Sequence, residues 1–313
     1  MATNLRRAAK LAAISSAAGA SAMVASRAVR GPRERVPRFE LTPTHRSGSG
    51  TPLLLLHGVG AIWRAWSPVL PHLEPHHDVI APTLPGHGGG PALDASVTPT
   101  VQSLADALEK QLDDLGLQTV HIAGNSLGGW LGIELARRGR ARSLILFSPA
   151  GAWHSTRSIK MRARLIQGSI GLLGHFASYS EQIAANPFLR WTLLAGQVAH
   201  PGQVPPAELA AIIRAGGQSP AVAPLMRQLP TRQVQPLPAD RDYPVRLVWS
   251  ERDRVIPFTG FGDAMYDKLP QAELVLLRGV GHVPMTDDPA GVARNILELT
   301  AAVDARGEVD RVV

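Results

Sequence analysis

Residues 121–130 read HIAGNSLGGW, with Ser126 between Gly124 and Gly128 directly after an apolar run. The residues that follow, 127–138, have the spacing of a helix, so the serine falls where a strand meets a helix. A sharp junction of this kind forces its apical residue into a strained backbone conformation and needs small neighbours, which glycines supply. The stretch predicts either a nucleophilic serine on a tight turn or an ordinary connecting loop, and the surrounding sequence has to decide.

Short apolar runs alternate with helical patterns on both sides of this stretch. The sequence predicts strands at 53–56, 78–81, 119–123, 143–147, 245–249 and 273–277. It predicts helices at 62–73, 98–115, 127–138, 258–269 and 289–303. Such alternation is typical of parallel strands joined by crossover helices, and continuous apolar strands fit a sheet covered on both faces. The predicted fold class is therefore α/β, with a mostly parallel central sheet flanked by helices.

Residues 152–238 interrupt this alternation. They are helical and loop-rich in pattern and contain many Pro and Gly residues, so we interpret them as an insertion over the sheet. The insertion is basic, because residues 151–238 hold eight Lys or Arg and two Glu.

The composition excludes several classes of function. The chain has no cysteine, so disulfides, a cysteine nucleophile and thiolate metal sites are excluded. Residues 1–50 hold nine Lys or Arg and two Glu, which accounts for the net charge of +7 of the whole chain. Because the excess lies outside the predicted strands, it does not predict a nucleic-acid partner.

Residues 1–38 form a predicted basic arm with the outline of a targeting segment. Three basic residues precede an uncharged run at 11–26, and Ala-Ser-Ala at 20–22 resembles a cleavage site. The run is too short and too weakly apolar to predict a membrane span. Three interpretations stay open: a disordered arm, an amphipathic helix on a membrane surface, or a cleaved signal. A cytoplasmic or membrane-associated location is favoured over secretion.

A nucleophilic serine needs a base to take its proton and an acid to orient that base. His282 follows the last predicted strand in a loop with two glycines and is the candidate base. Asp253 follows the strand at 245–249 and is the candidate acid, with Glu251 as its rival. Other histidines are interpreted as solvated surface in a polar turn: His72, His76 and His77.

The oxyanion of an acyl-transfer reaction needs two backbone N–H donors. The N–H of Leu127, directly after the serine, is one candidate. The N–H of Val59, in the loop His57-Gly58-Val59-Gly60, is the other. We interpret His57 as a structural residue that forms hydrogen bonds within this loop.

Five motifs together resemble the α/β-hydrolase superfamily, in its serine-nucleophile, esterase- and lipase-like branch with a helical cap. They are HG-x-G at 57–60, P-x-LPGHG at 82–88, GNSLGG at 124–129, WSERD at 249–253 and GVGH at 279–282. The resemblance covers roughly residues 50–304 and implies an α/β-hydrolase core at 39–151 and 239–313. It also implies that 152–238 is the cap that builds the substrate pocket. Thr83 stands where relatives often have Asp, and Ser250 where they often have Gly; neither change touches the candidate triad.

A serine nucleophile implies an acyl-enzyme and hence an ester, thioester or amide substrate. Relatives that open epoxides or remove halides use a carboxylate at this position, so Ser126 argues against both reactions. We predict a hydrolase of carboxylic esters with an apolar or lipid-like substrate. The alternatives are a carbon–carbon bond hydrolase with the same triad and a non-catalytic binder on the same scaffold.

The aromatic residues of the insertion give a weaker indication of the substrate. Trp153 and Trp130 are candidate substrate-binding residues, although packing of the cap on the core explains such residues equally well. The basic residues at 155–165 face either anionic lipid or water. The sequence predicts no cofactor, no metal and no nucleic acid, a small-molecule ester as partner, and membrane-surface association through the arm or the cap. It leaves open the acyl chain length, the leaving group and the oligomeric state.

Overall fold

The structure, a computed structural model, describes residues 36–94 and 96–309, so the arm at 1–38 lies outside the described residues except for its last three. Seven strands form one sheet in the order β1-β3-β2-β4-β5-β6-β7. They are β1 (Thr44–Ser47), β2 (Thr51–Leu56), β3 (His77–Pro82), β4 (Val120–Asn125), β5 (Ala141–Phe147), β6 (Val245–Ser250) and β7 (Glu273–Leu277). β1 is antiparallel to β3 and every other pair is parallel. The predicted α/β class with a mostly parallel sheet is confirmed.

Helices connect the strands and fill the insertion. The α-helices are α1 (Leu70–Leu73), α2 (Val101–Asp114), α3 (Leu127–Arg137), α4 (Thr156–His175), α5 (Ser180–Ala185), α6 (Pro187–Leu194), α7 (Pro206–Gly216), α8 (Val222–Gln228), α9 (Asp263–Lys268), α10 (Pro284–Asp287) and α11 (Pro289–Val309). Helices α4 to α8 lie between β5 and β6, and residues 152–238 are called the inserted segment below. Within the described residues, no helix combines the length and apolar character needed to cross a bilayer.

The two faces of the sheet carry separate apolar cores. In β2, Leu54 and Leu56 belong to a core that includes residues of α2 and α3, whereas Leu53 and Leu55 belong to a core that includes residues of α11. Successive side chains of a strand point to opposite faces, so a strand buried on both faces is apolar at every position. This explains why these strands could be predicted as continuous apolar runs.

Two helices predicted as continuous are broken in the structure. The segment at 62–73 forms a 3₁₀ turn at Trp63–Trp66 and then α1. Pro68 and Pro71 cause the break, because proline lacks the N–H of the helical hydrogen bond and its ring obstructs the preceding turn. The segment at 258–269 is helical only from α9 onward, because Thr259 is extended and Gly260 has φ +89° before it.

A buried polar cluster lies at the edge of the sheet where β2, β4 and β5 begin. His121 Nδ1 is 2.8 Å from Ser143 Oγ, and His121 Nε2 is 3.1 Å from the carboxylate of Asp304 on α11. His77 Nε2 is 2.9 Å from the hydroxyl of Thr300 on α11. The prediction that His77 is solvated surface is wrong, because His77 is the first residue of β3 and its ring is buried under α11. The cluster fixes the C-terminal helix to the sheet.

Candidate active site

Ser126 occupies a strained turn between β4 and α3. Its φ of +55° and ψ of −116° lie in a region that residues other than glycine rarely adopt. The glycines around Ser126 leave no room for a side chain. A Cβ on Gly124 would overlap the carbonyl of Gly128, and a Cβ on Gly128 would overlap the carbonyl of Leu56. The tight strand–turn–helix junction indicated by the sequence is therefore present, and it presents Ser126 at the carboxyl edge of the sheet.

Backbone hydrogen bonds hold the turn in this conformation. The N–H of Ser126 donates to the carbonyl of Phe147 at 3.1 Å, and the carbonyl of Ser126 accepts from Ala150 at 2.9 Å. The side chain of Ser126 is largely buried, at 9% exposure. Within the described residues its hydroxyl makes no hydrogen bond with His282. Nucleophile–base hydrogen bonds are often long without substrate and shorten when one binds.

His282 and Asp253 form a buried pair at the same edge of the sheet. His282 Nδ1 lies 2.7 Å from Asp253 Oδ2, and both side chains are buried. The other carboxylate oxygen, Asp253 Oδ1, accepts from the N–H groups of Val255 at 2.9 Å and Ile256 at 2.8 Å. Because a carboxylate only accepts, His282 donates from Nδ1 and keeps Nε2 free to accept a proton.

Glu251, the rival acid, is placed differently. Its carboxylate is exposed and accepts from the N–H of Gly279 at 2.8 Å. It makes no hydrogen bond with His282 in the described part of the chain. The geometry therefore favours Asp253 as the acid over Glu251.

The loop at 57–60 lies against the serine. A Cβ on Gly58 would stand 3.3 Å from the Cβ of Ser126. The N–H of Leu127 is the first of helix α3 and so has no helical acceptor. The N–H of Val59 donates no hydrogen bond to any described residue. The loop that carries Val59 thus lies against Ser126, and the N–H of Leu127 at the positive end of the α3 dipole follows Ser126 directly.

His57 holds this loop in place rather than facing the serine. Its Nδ1 donates to the carbonyl of Gly58 at 2.7 Å, and its Nε2 accepts from the N–H of Leu84 at 2.9 Å. Burial, with a smaller contribution from the neighbouring ring of His87, lowers the pKa of His57 to about 3. His57 is therefore neutral at physiological pH, with both ring nitrogens occupied, in agreement with a structural role.

Buried neutral histidines predict a loss of stability in mild acid. Burial lowers the pKa of His57 to about 3 and those of His87 and His121 to about 4. The unfolded chain takes up these protons near pH 6.5 and the folded chain does not. Each such histidine therefore removes about 1.4 kcal/mol of unfolding free energy per pH unit as the pH falls from about 6.5 toward 4.

The contribution of one histidine can be isolated by replacing it. His121→Gln should reduce the slope of unfolding free energy against pH between about pH 6 and 4.5 by roughly 1.4 kcal/mol per unit. Denaturant unfolding at several pH values measures the slope, and His72→Gln at an exposed position is the control. An unchanged slope in His121→Gln would show that His121 is already protonated in the folded protein.

Asn125 links the serine turn to the histidine loop. Its side-chain amide donates to the carbonyl of His282 at 2.9 Å and to the carbonyl of Phe147 at 3.1 Å. The side chain next to Ser126 thus fixes the backbone of the candidate base. Sequence reasoning noted Asn125 only as part of the serine motif, because its bond to a residue 157 positions later has no local signal.

Asp287, which sequence reasoning missed, links the histidine loop to the inserted segment. Its side chain is fully buried. Its Oδ2 accepts from the N–H of Gly281 at 2.7 Å and of Ala199 at 2.8 Å, and its Oδ1 accepts from the N–H of His200 at 2.8 Å. One carboxylate therefore joins the residue before His282 to two residues of the inserted segment.

The inserted segment also contacts the other two loops of the site. A Cβ on Gly60, in the loop at 57–60, would meet the side chain of Ile170 on α4 at 2.6 Å. Arg162, also on α4, donates to the carbonyls of Arg254 and Val255 in the acid loop at 2.9 and 2.5 Å. The segment thus contacts the loop at 57–60, the acid loop and the histidine loop.

The two predicted substrate-binding tryptophans are both buried in the same apolar core. Trp130 on α3 lines a small cavity that it shares with Leu127, the ends of α2 and α8, and Arg232. Trp153 lines neither this cavity nor a second one near Lys268. In the part of the chain that the structure describes, no three His, Asp or Glu side chains are grouped to hold a metal ion.

Comparison with known sequences identifies the fold and a range of chemistries. A family model described as "Alpha/beta hydrolase family" matches residues 53–295. The chain is 38% identical over 198 residues to the epoxide hydrolase EphH of Mycobacterium tuberculosis. This alignment covers 62% of this chain and 91% of that protein. It is 26% identical over 251 residues to Lipase 3 of a Moraxella species, covering 76% of this chain and 74% of that protein.

A solved structure with the same fold is an esterase from Thermogutta terrifontis. The TM-score is 0.64, with 23% identity, and the match covers 85% of this chain and 99% of the esterase. At this identity the match supports the fold and not the substrate.

Proposed function

The chain belongs to the alpha/beta hydrolase family, as its five motifs indicated, and from this membership we propose that it is a serine hydrolase that cleaves carboxylic esters through an acyl-enzyme. The observation that carries the proposal is the 2.7 Å hydrogen bond between His282 Nδ1 and Asp253 Oδ2 at the sheet edge that also presents the strained Ser126. Membership in the family makes the protein a hydrolase; the ester substrate and the roles of the three residues are our proposal.

In the proposed mechanism the hydroxyl of Ser126 attacks the ester carbonyl while His282 Nε2 takes its proton. The carbonyl oxygen becomes an oxyanion that accepts from the N–H groups of Val59 and Leu127. The imidazolium, stabilised by Asp253, then protonates the departing alcohol and leaves an acyl-enzyme. Water, deprotonated by His282, hydrolyses the acyl-enzyme and restores Ser126.

The relative that acts on epoxides raises a chemical question, because a serine cannot sustain that reaction. A carboxylate that opens an epoxide forms an ester, which water can hydrolyse to release the diol. A serine alkoxide that opened an epoxide would form an ether at Ser126, which has no carbonyl for water to attack. The enzyme would be alkylated after one turnover. An acyl substrate, whose intermediate is an ester of Ser126, avoids this outcome.

An apolar acyl group is part of the proposal. The name of the Lipase 3 relative supports it. The small cavity beside Leu127 does not decide the point, because it includes no residue of the triad and its lining is mixed: Val101, Trp130, Leu225 and Leu229 with Thr100, Gln102, Gln228 and Arg232. We propose that the inserted segment, which contacts the loop at 57–60 and the acid and histidine loops, acts as a cap over Ser126.

Labelling with a fluorophosphonate probe and hydrolysis of p-nitrophenyl esters of graded chain length test the proposal together. Wild-type protein should be labelled and should hydrolyse the esters, and Ser126→Ala should do neither. Ser148→Ala is the matched control, because Ser148 is also a buried serine with positive φ, at the end of β5. A folded wild-type protein without labelling would indicate a binder, and preference for a vinylogous diketone over every ester would indicate carbon–carbon hydrolysis.

The contacts of Asp287 predict that it positions the proposed base. In Asp287→Asn the new amide NH₂ would face either the N–H of His200, or those of Gly281 and Ala199, which would lose their acceptor. Because small displacements of a catalytic group are costly, we expect esterase kcat to fall by roughly tenfold to a hundredfold with little change in KM.

The control for Asp287→Asn is Asp263→Asn. Asp263 also accepts from two backbone N–H groups, those of Gly260 and Ala264, at 2.8 and 2.7 Å, but away from His282. Thermal unfolding measures the structural cost in both variants, and steady-state kinetics separates kcat from KM. Equal losses of kcat in the two variants would mean that Asp287 is only structural.

A further inference from the structure

Helix α4 of the inserted segment has an unusual outward face. Its inward face is ordinary, since Ile159 and Ala163 are buried and Ile170 contacts the loop at 57–60. Its outward face also carries large apolar side chains: Met161 is 57% exposed, Leu165 is 65% exposed and Leu172 is 60% exposed. A solvated helix normally places polar residues on this face.

Large and charged exposed side chains on α4 and directly after it follow one face of a helix, and we call them the stripe. They recur every three or four residues on either side of a gap at Gly168 and Ser169, which are exposed but small. The stripe comprises Arg157, Lys160, Met161, Arg164, Leu165, Leu172, His175, Phe176 and Tyr179. The stripe is cationic toward the start of α4 and apolar and aromatic toward its end.

The charge of this region has one sign. Residues 152–180 hold four Lys or Arg and no Asp or Glu. Arg162 points inward to the carbonyls of Arg254 and Val255, whereas Arg157, Lys160 and Arg164 make no ion pair within the described residues. Three unpaired cations beside large apolar side chains are the features of a helix that lies in the plane of an anionic lipid surface.

We propose that the stripe, from Arg157 on α4 to Tyr179 in the turn after it, docks on an anionic lipid bilayer. A second copy of the same face would bring no anionic partner for the cations of either copy, because residues 152–180 hold no Asp or Glu. The arm at 1–38 is basic as well, with eight Lys or Arg and one Glu, and is not attracted to this face by charge. Anionic lipid satisfies both halves of the stripe, because headgroups pair with the cations while Leu165, Leu172 and Phe176 enter the region below the headgroups.

Docking in this way would bring the proposed active site close to the lipid. The opposite face of α4 contacts Gly60 in the oxyanion loop, and one helix with its side chains is about 10 Å across. If the proposed function holds, the substrate is an ester that reaches Ser126 from the membrane. The docking itself does not depend on the serine chemistry.

Sedimentation with vesicles tests the docking, with the full chain used throughout. The vesicles contain phosphatidylcholine alone or with about a third of phosphatidylglycerol, at low salt and at about 0.5 M salt, where charges are screened. One variant removes apolar contacts, Leu165→Ser with Leu172→Ser. The other removes charge: Arg157→Gln, Lys160→Gln and Arg164→Gln together.

Each variant has a matched control elsewhere on the surface. Leu274→Ser with Leu276→Ser removes two exposed leucines from β7. The charge control replaces three exposed arginines outside the inserted segment by Gln: Arg278, Arg294 and Arg306. Thermal unfolding and turnover of a soluble ester should be the same in all variants as in the wild-type protein.

We expect wild-type protein to bind the anionic vesicles in low salt, and each α4 variant to bind about tenfold or more weakly than its control. If both α4 variants bound the vesicles as tightly as the wild-type protein does, the proposal would be overturned. Deletion of residues 1–35 would then show whether the arm binds instead. Equal binding to vesicles without phosphatidylglycerol would also overturn it. The proposed function is tested separately from the docking. If it fails and the docking holds, the wild-type protein binds the vesicles but hydrolyses no ester.

Discussion

Replacing Ser126 by Ala should leave a folded protein whose esterase kcat is lower by about 10⁴-fold or more, because nucleophile, base and acid act as a unit. Without the hydroxyl no acyl-enzyme forms, and the oxyanion donors alone cannot replace it. Alanine has nearly the same backbone preferences as serine, so it occupies the φ of +55° with similar strain. Hydrolysis of a p-nitrophenyl ester measures kcat, and thermal unfolding of the same sample shows whether the variant is folded.

The strained turn supplies an internal control for this prediction. Ser126→Gly removes the hydroxyl equally, but glycine adopts positive φ without a steric cost. Ser126→Gly should therefore be as inactive as Ser126→Ala and more stable, since strain of this kind is worth about 1–3 kcal/mol. Activity above a tenth of wild type in either variant would remove Ser126 from the role of nucleophile. Equal stability would mean that the turn stores little strain.

The three candidate residues could be assigned to one edge of the sheet from the sequence, because each of them follows a predicted strand. The carboxyl ends of neighbouring parallel strands meet at one edge of a sheet. Ser126, Asp253 and His282 follow β4, β6 and β7, so strand prediction alone brought them to the same edge. The order of the strands in the sheet was not needed for this inference.

Contacts between distant segments could not be predicted from local patterns. Asp287 contacts Ala199 and His200, residues 88 and 87 positions earlier, and nothing in the sequence around either partner indicates the pairing. The edge strand β1 was missed for a different reason. Its sequence, THRS, is short and polar, with no apolar alternation to reveal it, and it is stabilised by its pairing with β3.

Replacing Asp253 by Asn should preserve the fold and lower esterase kcat by about 10³- to 10⁴-fold, because the amide selects the wrong histidine tautomer. The structure fixes how the asparagine is oriented. Oδ1 of Asp253 accepts from Val255 and Ile256, so the amide oxygen must stay there. The amide NH₂ then faces His282 Nδ1 and donates to it. His282 carries its proton on Nε2 instead, where it can no longer accept the proton of Ser126.

Glu251→Gln is the matched control, since it makes the same chemical change two residues earlier. Glu251 is exposed, and the one hydrogen bond that its side chain makes within the described residues, from Gly279, can be kept by the amide oxygen of glutamine. Its kcat should stay within about threefold of wild type, as expected for a charge removed outside the site. Steady-state kinetics on both variants, with ¹H NMR of the imidazole N–H to report the tautomer of His282, measures the difference. A large loss in Glu251→Gln with a small one in Asp253→Asn would make Glu251 the acid, which the 2.7 Å contact of Asp253 with His282 argues against.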